Sequence, residues 1–166
     1  KYNAEVKETE VGETNVVRGM EKQKSIIGGE GSNGGVIIFP IKCRDGIMTT
    51  VLILRLIAER SKSLPDILDS YPKYYSQRLA KKCLPEQSIR IKQKLEEYFK
   101  DKGYKIKKTG GVDGGLKVLI DNNSYLWFRS SKTEAGIFRI IADGDDNYKV
   151  SQILQKGSKI FNKLIK

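Results

Sequence analysis

A polar segment between two apolar stretches concentrates side chains that bind anions. It reads WFRSSKTEAGIFRI (residues 127–140), and strand-like apolar residues flank it on both sides. Its polar members include Arg129, Ser131, Lys132, Thr133, Glu134 and Arg139. A turn needs only Gly, Asn or Asp to reverse the chain, whereas two guanidinium groups, hydroxyls and backbone N–H groups can together hold a phosphate. The segment therefore predicts a phosphate-binding loop, and a solvated polar hairpin tip is the alternative.

A second loop predicts contacts with hydroxyl groups. Residues 27–35 (IGGEGSNGG) contain five glycines, and glycine lets backbone approach a ligand closely. Glu30 is the only charged residue of this loop, and a carboxylate accepts hydrogen bonds from sugar hydroxyls but repels phosphate. Neither the P-loop pattern nor the Rossmann glycine pattern is present. A flexible hairpin loop is the alternative to sugar binding.

Neither of the two groups of possible metal ligands in the sequence predicts a metal site. Asp143, Asp145 and Asp146 lie in ADGDDNYK, where Asp and Gly are ordinary residues of a turn and a helix cap. Cys43 and Cys83 have no CxxC spacing, and the chain has no histidine, which excludes a Cys/His site. We therefore expect two free thiols, as in a reducing cytoplasm.

The charge distribution indicates an anionic partner. The net charge of the 166 residues is +11, and the positive excess lies beyond residue 50. It suits nucleic acid or a phosphorylated small molecule, or else a lysine-rich solvated surface. The longest apolar run, residues 47–58, is too short and too polar to span a bilayer. The chain begins at Lys1 in mid-pattern, so we expect a piece of a longer protein.

The order of elements predicts two domains. Residues 1–72 alternate strand and helix, with a first strand at NAEVKETEV and the strongest helix at RDGIMTTVLILRLIAERS, capped by Asp45. Residues 73–85 are basic, proline-bounded and aperiodic, which predicts an extended connection. Residues 86–166 follow the order α-β-β-β-β-α, which predicts a four-stranded antiparallel sheet with helices packed on it. The predicted fold class is an α/β part followed by a small α+β domain.

Three segments together carry a family resemblance. GGEGSNGGVIIFP, RDGIMTTVLILRLIAE and RSSKTEAGIFRI resemble, in this order, the last third of the α-D-phosphohexomutases. This is the family of phosphoglucomutase, phosphomannomutase and phosphoglucosamine mutase, and the glycine-rich segment is most similar to its archaeal branch. The resemblance implies that residues 1–72 are the later part of an α/β, sugar-binding third domain. Residues 86–166 would then be the phosphate-binding fourth domain.

The resemblance also implies roles for individual residues. The sugar hydroxyls would be contacted by Gly29, Glu30, Gly31, Ser32 and Asn33. The substrate phosphate would be bound by Arg129, Ser131, Lys132, Thr133, Glu134 and Arg139. Compared with the family pattern R-x-S-G-T-E-P-x-x-R, Lys132 replaces Gly, Ala135 replaces Pro, and Arg139 comes one residue later. Ser32 is either an insertion or the counterpart of a family serine, and both alignments remain open.

The function implied by the resemblance is that of an enzyme. It would move a phosphoryl group between O6 and O1 of glucose, mannose or glucosamine phosphate through a bisphosphorylated intermediate, with Mg²⁺. The family's phosphoserine and metal motifs belong to earlier domains and are not in this sequence, so the piece alone is expected to bind substrate without turnover. Its expected partners are a hexose phosphate and the missing N-terminal domains, in the cytoplasm and without a membrane.

Two other functions remain as alternatives. One is a nucleic-acid-binding module that uses Tyr125, Trp127 and Phe128 for stacking. Neighbouring Trp127 and Phe128 point to opposite faces of a strand, so at least one of them is expected in the core. Lysines and arginines scattered through the helices, instead of lining one strand face, argue against this module. The other alternative is a sugar-phosphate sensor made of the same loops without catalysis.

Overall fold

The computed structural model describes residues 4–31, 34–110 and 114–165. The chain forms two compact units, Lys1–Tyr71 and Pro72–Lys166. Each unit has a hydrophobic core of its own, small in the first unit and extensive in the second.

The first unit consists of a helix, a short hairpin and two further helices. Its elements are α1 (Glu13–Gln23), β1 (Ile27–Gly28), β2 (Ile37–Ile38), α2 (Gly46–Arg60) and α3 (Leu64–Asp69). The two strands pair antiparallel, and Val16, Met20 and Ile37 form the core cluster. The prediction of a first strand is wrong for residues 4–10, which have no regular secondary structure because no described strand pairs with them.

Helix α2 begins as the sequence predicts but is not buried as its apolar pattern would imply. The Oδ1 of Asp45 accepts a hydrogen bond from the backbone N–H of Met48 at 2.8 Å, which caps the helix. None of the residues of α2 is buried, and Ile47 is 82% exposed. Apolar spacing identifies the helix, whereas burial depends on other elements that pack against it.

The second unit is an antiparallel sheet with two helices packed on it. Its elements are β3 (Tyr75–Lys82), α4 (Pro85–Asp101), β4 (Lys105–Thr109), β5 (Gly115–Leu119), β6 (Tyr125–Ser130), β7 (Ile137–Gly144) and α5 (Asn147–Leu164). The strand order is β3-β7-β6-β5-β4. Phe128 and Phe138 of the sheet meet Phe99 of α4 and Phe161 of α5 in one core. The predicted antiparallel sheet with helices is confirmed.

The predicted number of strands is wrong, because β3 lies in the segment that we expected to be a connection. Residues 75–82 pair with β7 along the whole strand, from Tyr75 opposite Gly144 to Lys82 opposite Ile137. The strand lies at the edge of the sheet, and most of its residues are exposed. An exposed, basic edge strand lacks the apolar alternation by which strands are recognised, so its sequence looks aperiodic.

Candidate functional site

The segment predicted to bind phosphate forms the loop between β6 and β7, where residues 131–136 reverse the chain. The N–H of Ser131 donates to the carbonyl of Ile137 at 2.7 Å, which closes the loop at its base. Gly136 has a φ of 72°, a left-handed conformation that a side chain would strain. Lys132 and Thr133 are exposed. The loop therefore projects its polar side chains from the ends of two rigid, central strands.

Arg129 and Arg139 are direct cross-strand partners at the base of this loop. The register pairs their Cα atoms, so both side chains leave the same face of the sheet. Arg139 comes one residue later than the second arginine of the family pattern. At this position it lies opposite Arg129. Two guanidinium groups that share one face and one loop can bind oxygens of the same phosphate.

Arg139 is held by the loop that it faces. Its Nε donates to Oγ of Ser131 at 3.3 Å, and its Nη2 donates to Oε2 of Glu134 at 3.0 Å. Oγ of Ser131 also accepts from the N–H of Glu134 at 3.2 Å and lies 3.4 Å from Oγ1 of Thr133. The side chain of Arg139 is only 19% exposed. These contacts orient the guanidinium before a ligand arrives, which lowers the entropic cost of binding.

The guanidinium of Arg129 lies over an aromatic ring that sequence reasoning did not assign to the phosphate site. Its guanidinium carbon lies 5.0 Å from the ring centroid of Trp127, within the range of a cation–π interaction. The Nε1 atom of Trp127 is buried and has no hydrogen-bond partner among the described residues. It lies against Gly115, where a Cβ would be 2.2 Å from it. Glycine at position 115 of β5, the strand next to β6, is the sequence signal for this close approach.

The glycine-rich loop of the first unit is anchored through Glu30. Nη1 of Arg44 lies 3.9 Å from Oε2 of Glu30, and Nε of the same arginine donates to Oε2 of Glu13 in α1 at 2.6 Å. The side chain of Glu30 is 19% exposed, whereas Gly29 and Gly31 are exposed. Ser32 and Asn33 lie outside the described residues. Sequence reasoning missed Arg44, since its partners are distant along the chain.

The acidic segment 142–149 acts as a strand end and helix cap, as the sequence predicts. Oδ1 of Asp146 accepts from the N–H of Lys149 at 2.7 Å at the start of α5. Oδ2 of Asp145 accepts from Nδ2 of Asn123 at 2.7 Å. Within residues 4–31, 34–110 and 114–165, no three His, Cys, Asp or Glu side chains are grouped as a metal site.

The two cysteines differ in environment. Cys43 is exposed and Cys83 is buried, and both are free thiols, as predicted. Burial raises the pKa of the Cys83 thiol, because an apolar environment disfavours the thiolate. A buried thiol of raised pKa packs in the core and is a poor nucleophile.

The chain is similar to known proteins over almost its whole length. Residues 1–75 match the model of the phosphoglucomutase/phosphomannomutase alpha/beta/alpha domain III. Over 165 residues the chain is 35% identical to a phosphoglucomutase/phosphomannomutase of Thermococcus kodakarensis, covering 98% of this chain and 34% of that protein. It is 30% identical over 165 residues to a probable phosphoglucosamine mutase of Methanosarcina barkeri, covering 98% and 35%. The chain spans about a third of the length of the curated relatives it matches.

A solved structure shares the fold. The crystal structure of pp63/parafusin, a phosphoglucomutase of Paramecium, in its open form aligns with a TM-score of 0.67 at 17% identity. The alignment covers 88% of this chain and 32% of that one. Both units therefore have the architecture found in a solved protein.

No helix in the described part of the chain has the length and apolar character to cross a membrane.

Proposed function

Because the chain belongs to the phosphoglucomutase/phosphomannomutase family, we propose that it is the C-terminal portion of a phosphohexose mutase. The intact enzyme moves a phosphoryl group between O6 and O1 of a hexose phosphate through a bisphosphorylated intermediate. The substrate is a glucose, mannose or glucosamine phosphate. The proposal rests on the paired arginines of one loop and on the similarity that extends across both units.

In this proposal the loop between β6 and β7 holds the phosphate that does not react. Arg129 and Arg139 supply the positive charge, and the hydroxyls of Ser131 and Thr133 occupy further oxygen positions. Lys132, exposed at the loop tip, adds charge. Glu134 orients Arg139 through the 3.0 Å contact. The observation that supports this assignment most strongly is the cross-strand pairing of the two arginines at the base of the loop.

The loop between β1 and β2 is the sugar-binding element of the proposal. Glu30 accepts hydrogen bonds from sugar hydroxyls, and the backbone of Gly29, Gly31, Ser32 and Asn33 approaches the sugar ring. A carboxylate is well suited to this role since hydroxyls are donors. The contacts of Arg44 hold Glu30 while leaving the glycines exposed. Because hexoses share most of their hydroxyls, this loop is compatible with several of them.

Reaction chemistry belongs to parts of the protein beyond this sequence. Phosphoryl transfer requires a nucleophile and charge neutralisation, which Mg²⁺ supplies in such enzymes. The described residues contain no cluster that fits a metal ion, so we place the Mg²⁺ ligands in the preceding domains. The residues of this chain bind and orient the substrate, and the chain alone is expected to be inactive.

An activity assay of the intact protein tests the proposal. Glucose, mannose and glucosamine 6-phosphates are supplied separately, with Mg²⁺ and a catalytic amount of hexose 1,6-bisphosphate, and formation of the 1-phosphate is followed by ³¹P NMR. At least one of the three is expected to be interconverted. Failure to convert any of them by a folded, full-length protein contradicts the proposal.

Replacing Arg44 with glutamine tests the role of the sugar loop. The change removes the cation 3.9 Å from Glu30 and is expected to raise KM about twofold to fivefold, the effect of losing about 0.4–1 kcal/mol from an ion pair. The kcat should stay within about twofold, because Arg44 orients a binding group. Steady-state kinetics of the intact enzyme measure both constants. The control is Arg60→Gln at the exposed end of α2; equal KM values for the two variants contradict the assignment.

A further inference from the structure

A contact between β5 and β6 links the phosphate loop, residues 131–136, to a glycine that lies outside it. Leu116 of β5 stands opposite Phe128 of β6, so Gly115 and Arg129 are the next residues beyond this pair in two antiparallel strands. Gly115 is buried and Arg129 is half-buried. Trp127 precedes Arg129 by two residues, so the two side chains leave the same face of β6. The indole of Trp127 therefore lies between the backbone of β5 and the base of the loop.

The missing side chain at position 115 makes room for this indole. A Cβ there would lie 2.2 Å from Nε1 and 3.1 Å from Cδ1 of Trp127, whereas atoms in van der Waals contact are about 3.5–4.0 Å apart. The indole is a rigid pair of rings, so it would have to rotate away. The third of the nearest atoms is Oγ1 of Thr109, and none of the three belongs to Arg129. A methyl group at position 115 would thus displace Trp127 without touching Arg129.

The same indole lies against the guanidinium of Arg129. The guanidinium carbon is 5.0 Å from the ring centroid of Trp127, within the range of about 6 Å over which a cation–π attraction acts. Nζ of Lys117 is 5.7 Å from this ring but 4.2 Å from the ring of Tyr125. Of these two cations, Arg129 is the closer to the indole. A displacement of the indole is therefore expected to alter the position of Arg129 first.

The position of Arg129 matters because it faces another cation across the strand pair. It stands directly opposite Arg139, and like charges in opposed positions repel each other. Arg139 is oriented by Ser131 and Glu134 of the loop. On the other side of the pair, the electron-rich face of the indole attracts the guanidinium and offsets part of the repulsion. A binding group has to be held within about 0.5 Å of its productive position by residues that are themselves fixed by packing.

We propose that Gly115 and Trp127 are positioning residues of the phosphate site. The absence of a side chain at position 115 lets the indole lie where it holds the guanidinium of Arg129 in the geometry that binds phosphate. Neither residue contacts the substrate. The inference rests on the proposed function, since it concerns the affinity of the loop for the substrate phosphate. Because these residues act on binding, their replacement changes KM and leaves kcat within about twofold.

Two substitutions of Trp127 in the intact enzyme separate its aromatic face from its bulk. Trp127→Leu removes the π face and is expected to raise KM about fivefold to tenfold, whereas Trp127→Phe keeps a ring and should stay within about threefold. The 6-phosphates of glucose, mannose and glucosamine are each supplied as substrate. The factor should be the same for every sugar that is converted, because the phosphate is the part they share. Equal KM values for the Leu and Phe variants overturn the positioning role of the ring.

A substitution on the neighbouring strand tests the same chain of contacts from its other end. Gly115→Ala is expected to raise KM about threefold to tenfold. In the double variant Gly115→Ala/Trp127→Phe, KM should return to about the value of Trp127→Phe alone, since phenylalanine lacks the Nε1 atom that the new Cβ would meet. The matched control is Gly144→Ala at the far end of β7, where a Cβ would lie 3.0 Å from Cβ of Ser124. A KM for Gly115→Ala no higher than for this control overturns the proposal.

The fluorescence of Trp127 reports the displacement independently of mutase activity. Subtracting the spectrum of Gly115→Ala/Trp127→Phe from that of Gly115→Ala isolates the emission of Trp127, and wild type minus Trp127→Phe gives the reference. The displaced indole is expected to emit at longer wavelength and to be quenched more strongly by acrylamide. Displacement without a change in KM, or no displacement in a folded Gly115→Ala variant, overturns the proposal and leaves the mutase function standing. A wild-type protein that converts none of the three sugars contradicts the mutase function and this inference together.

Discussion

Replacing Arg129 with alanine in the intact enzyme is expected to raise KM for the hexose phosphate by about 100-fold, through two lost charge-assisted hydrogen bonds of about 1.5 kcal/mol each. Arg129 pairs with Arg139 at the base of the loop, and its guanidinium is supported by Trp127. The substitution removes one half of the proposed clamp while Ser131 and Glu134 keep Arg139 in place. Steady-state kinetics with the 6-phosphate and the 1-phosphate as substrates measure the effect, which should appear with both.

The matched control for Arg129→Ala is Arg78→Ala. Arg78 lies on the same face of the sheet, opposite Ile141, and its removal lowers the net charge of the surface equally. If general electrostatic attraction governed substrate binding, the two variants would raise KM by similar factors. The proposed clamp predicts an effect of less than about twofold for Arg78→Ala, since its partner Ile141 lies further along β7 from the loop than Arg139 does. Similar KM values for the two variants would contradict the assignment of the clamp.

Replacing Phe128 with alanine is expected to lower the free energy of unfolding of the second unit by about 3–5 kcal/mol. The ring is fully buried and lies 5.7 Å from the ring of Phe99, between the sheet and α4. Its loss leaves a cavity in the core that the helices and the sheet share. Urea unfolding followed by fluorescence of Trp127, the single tryptophan of the chain, reports on this unit.

Tyr148→Ala provides the comparison for the stability experiment. Tyr148 lies in the first turn of α5 and is 74% exposed, so its removal is expected to change the unfolding free energy by no more than about 0.5 kcal/mol. A loss at Phe128 no greater than the loss at Tyr148 would mean that the aromatic cluster is not the core of this unit.

The sequence is sufficient to predict elements whose residues follow a regular period. The alternating residues of β6 and β7 and the amphipathic helix α5 have such a period, and Asp45 and Asp146 cap the helices that they precede. Strand β3 has none, because an edge strand with most residues exposed has no need of alternation. Residues 4–10 illustrate the reverse error, since apolar alternation alone does not form a strand without a neighbour to pair with.

Residue types predict the binding loops, but not the contacts that orient their side chains. Arg129, Ser131 and Arg139 are recognisable as anion-binding groups in the sequence. The pairing of Arg129 with Arg139, however, depends on the register between β6 and β7. Arg44 and Glu13 are 31 positions apart in sequence, and only the folded chain brings them together.

The most direct test of the central claim is a crystal structure of the intact protein with a hexose 6-phosphate bound. We expect phosphate oxygens at charge-assisted hydrogen-bond distances, about 2.7–2.9 Å, from guanidinium nitrogens of both Arg129 and Arg139. Oγ of Ser131 should contact the same phosphate. A structure in which the phosphate is bound elsewhere, with the loop between β6 and β7 empty, would show that this loop is not the phosphate site.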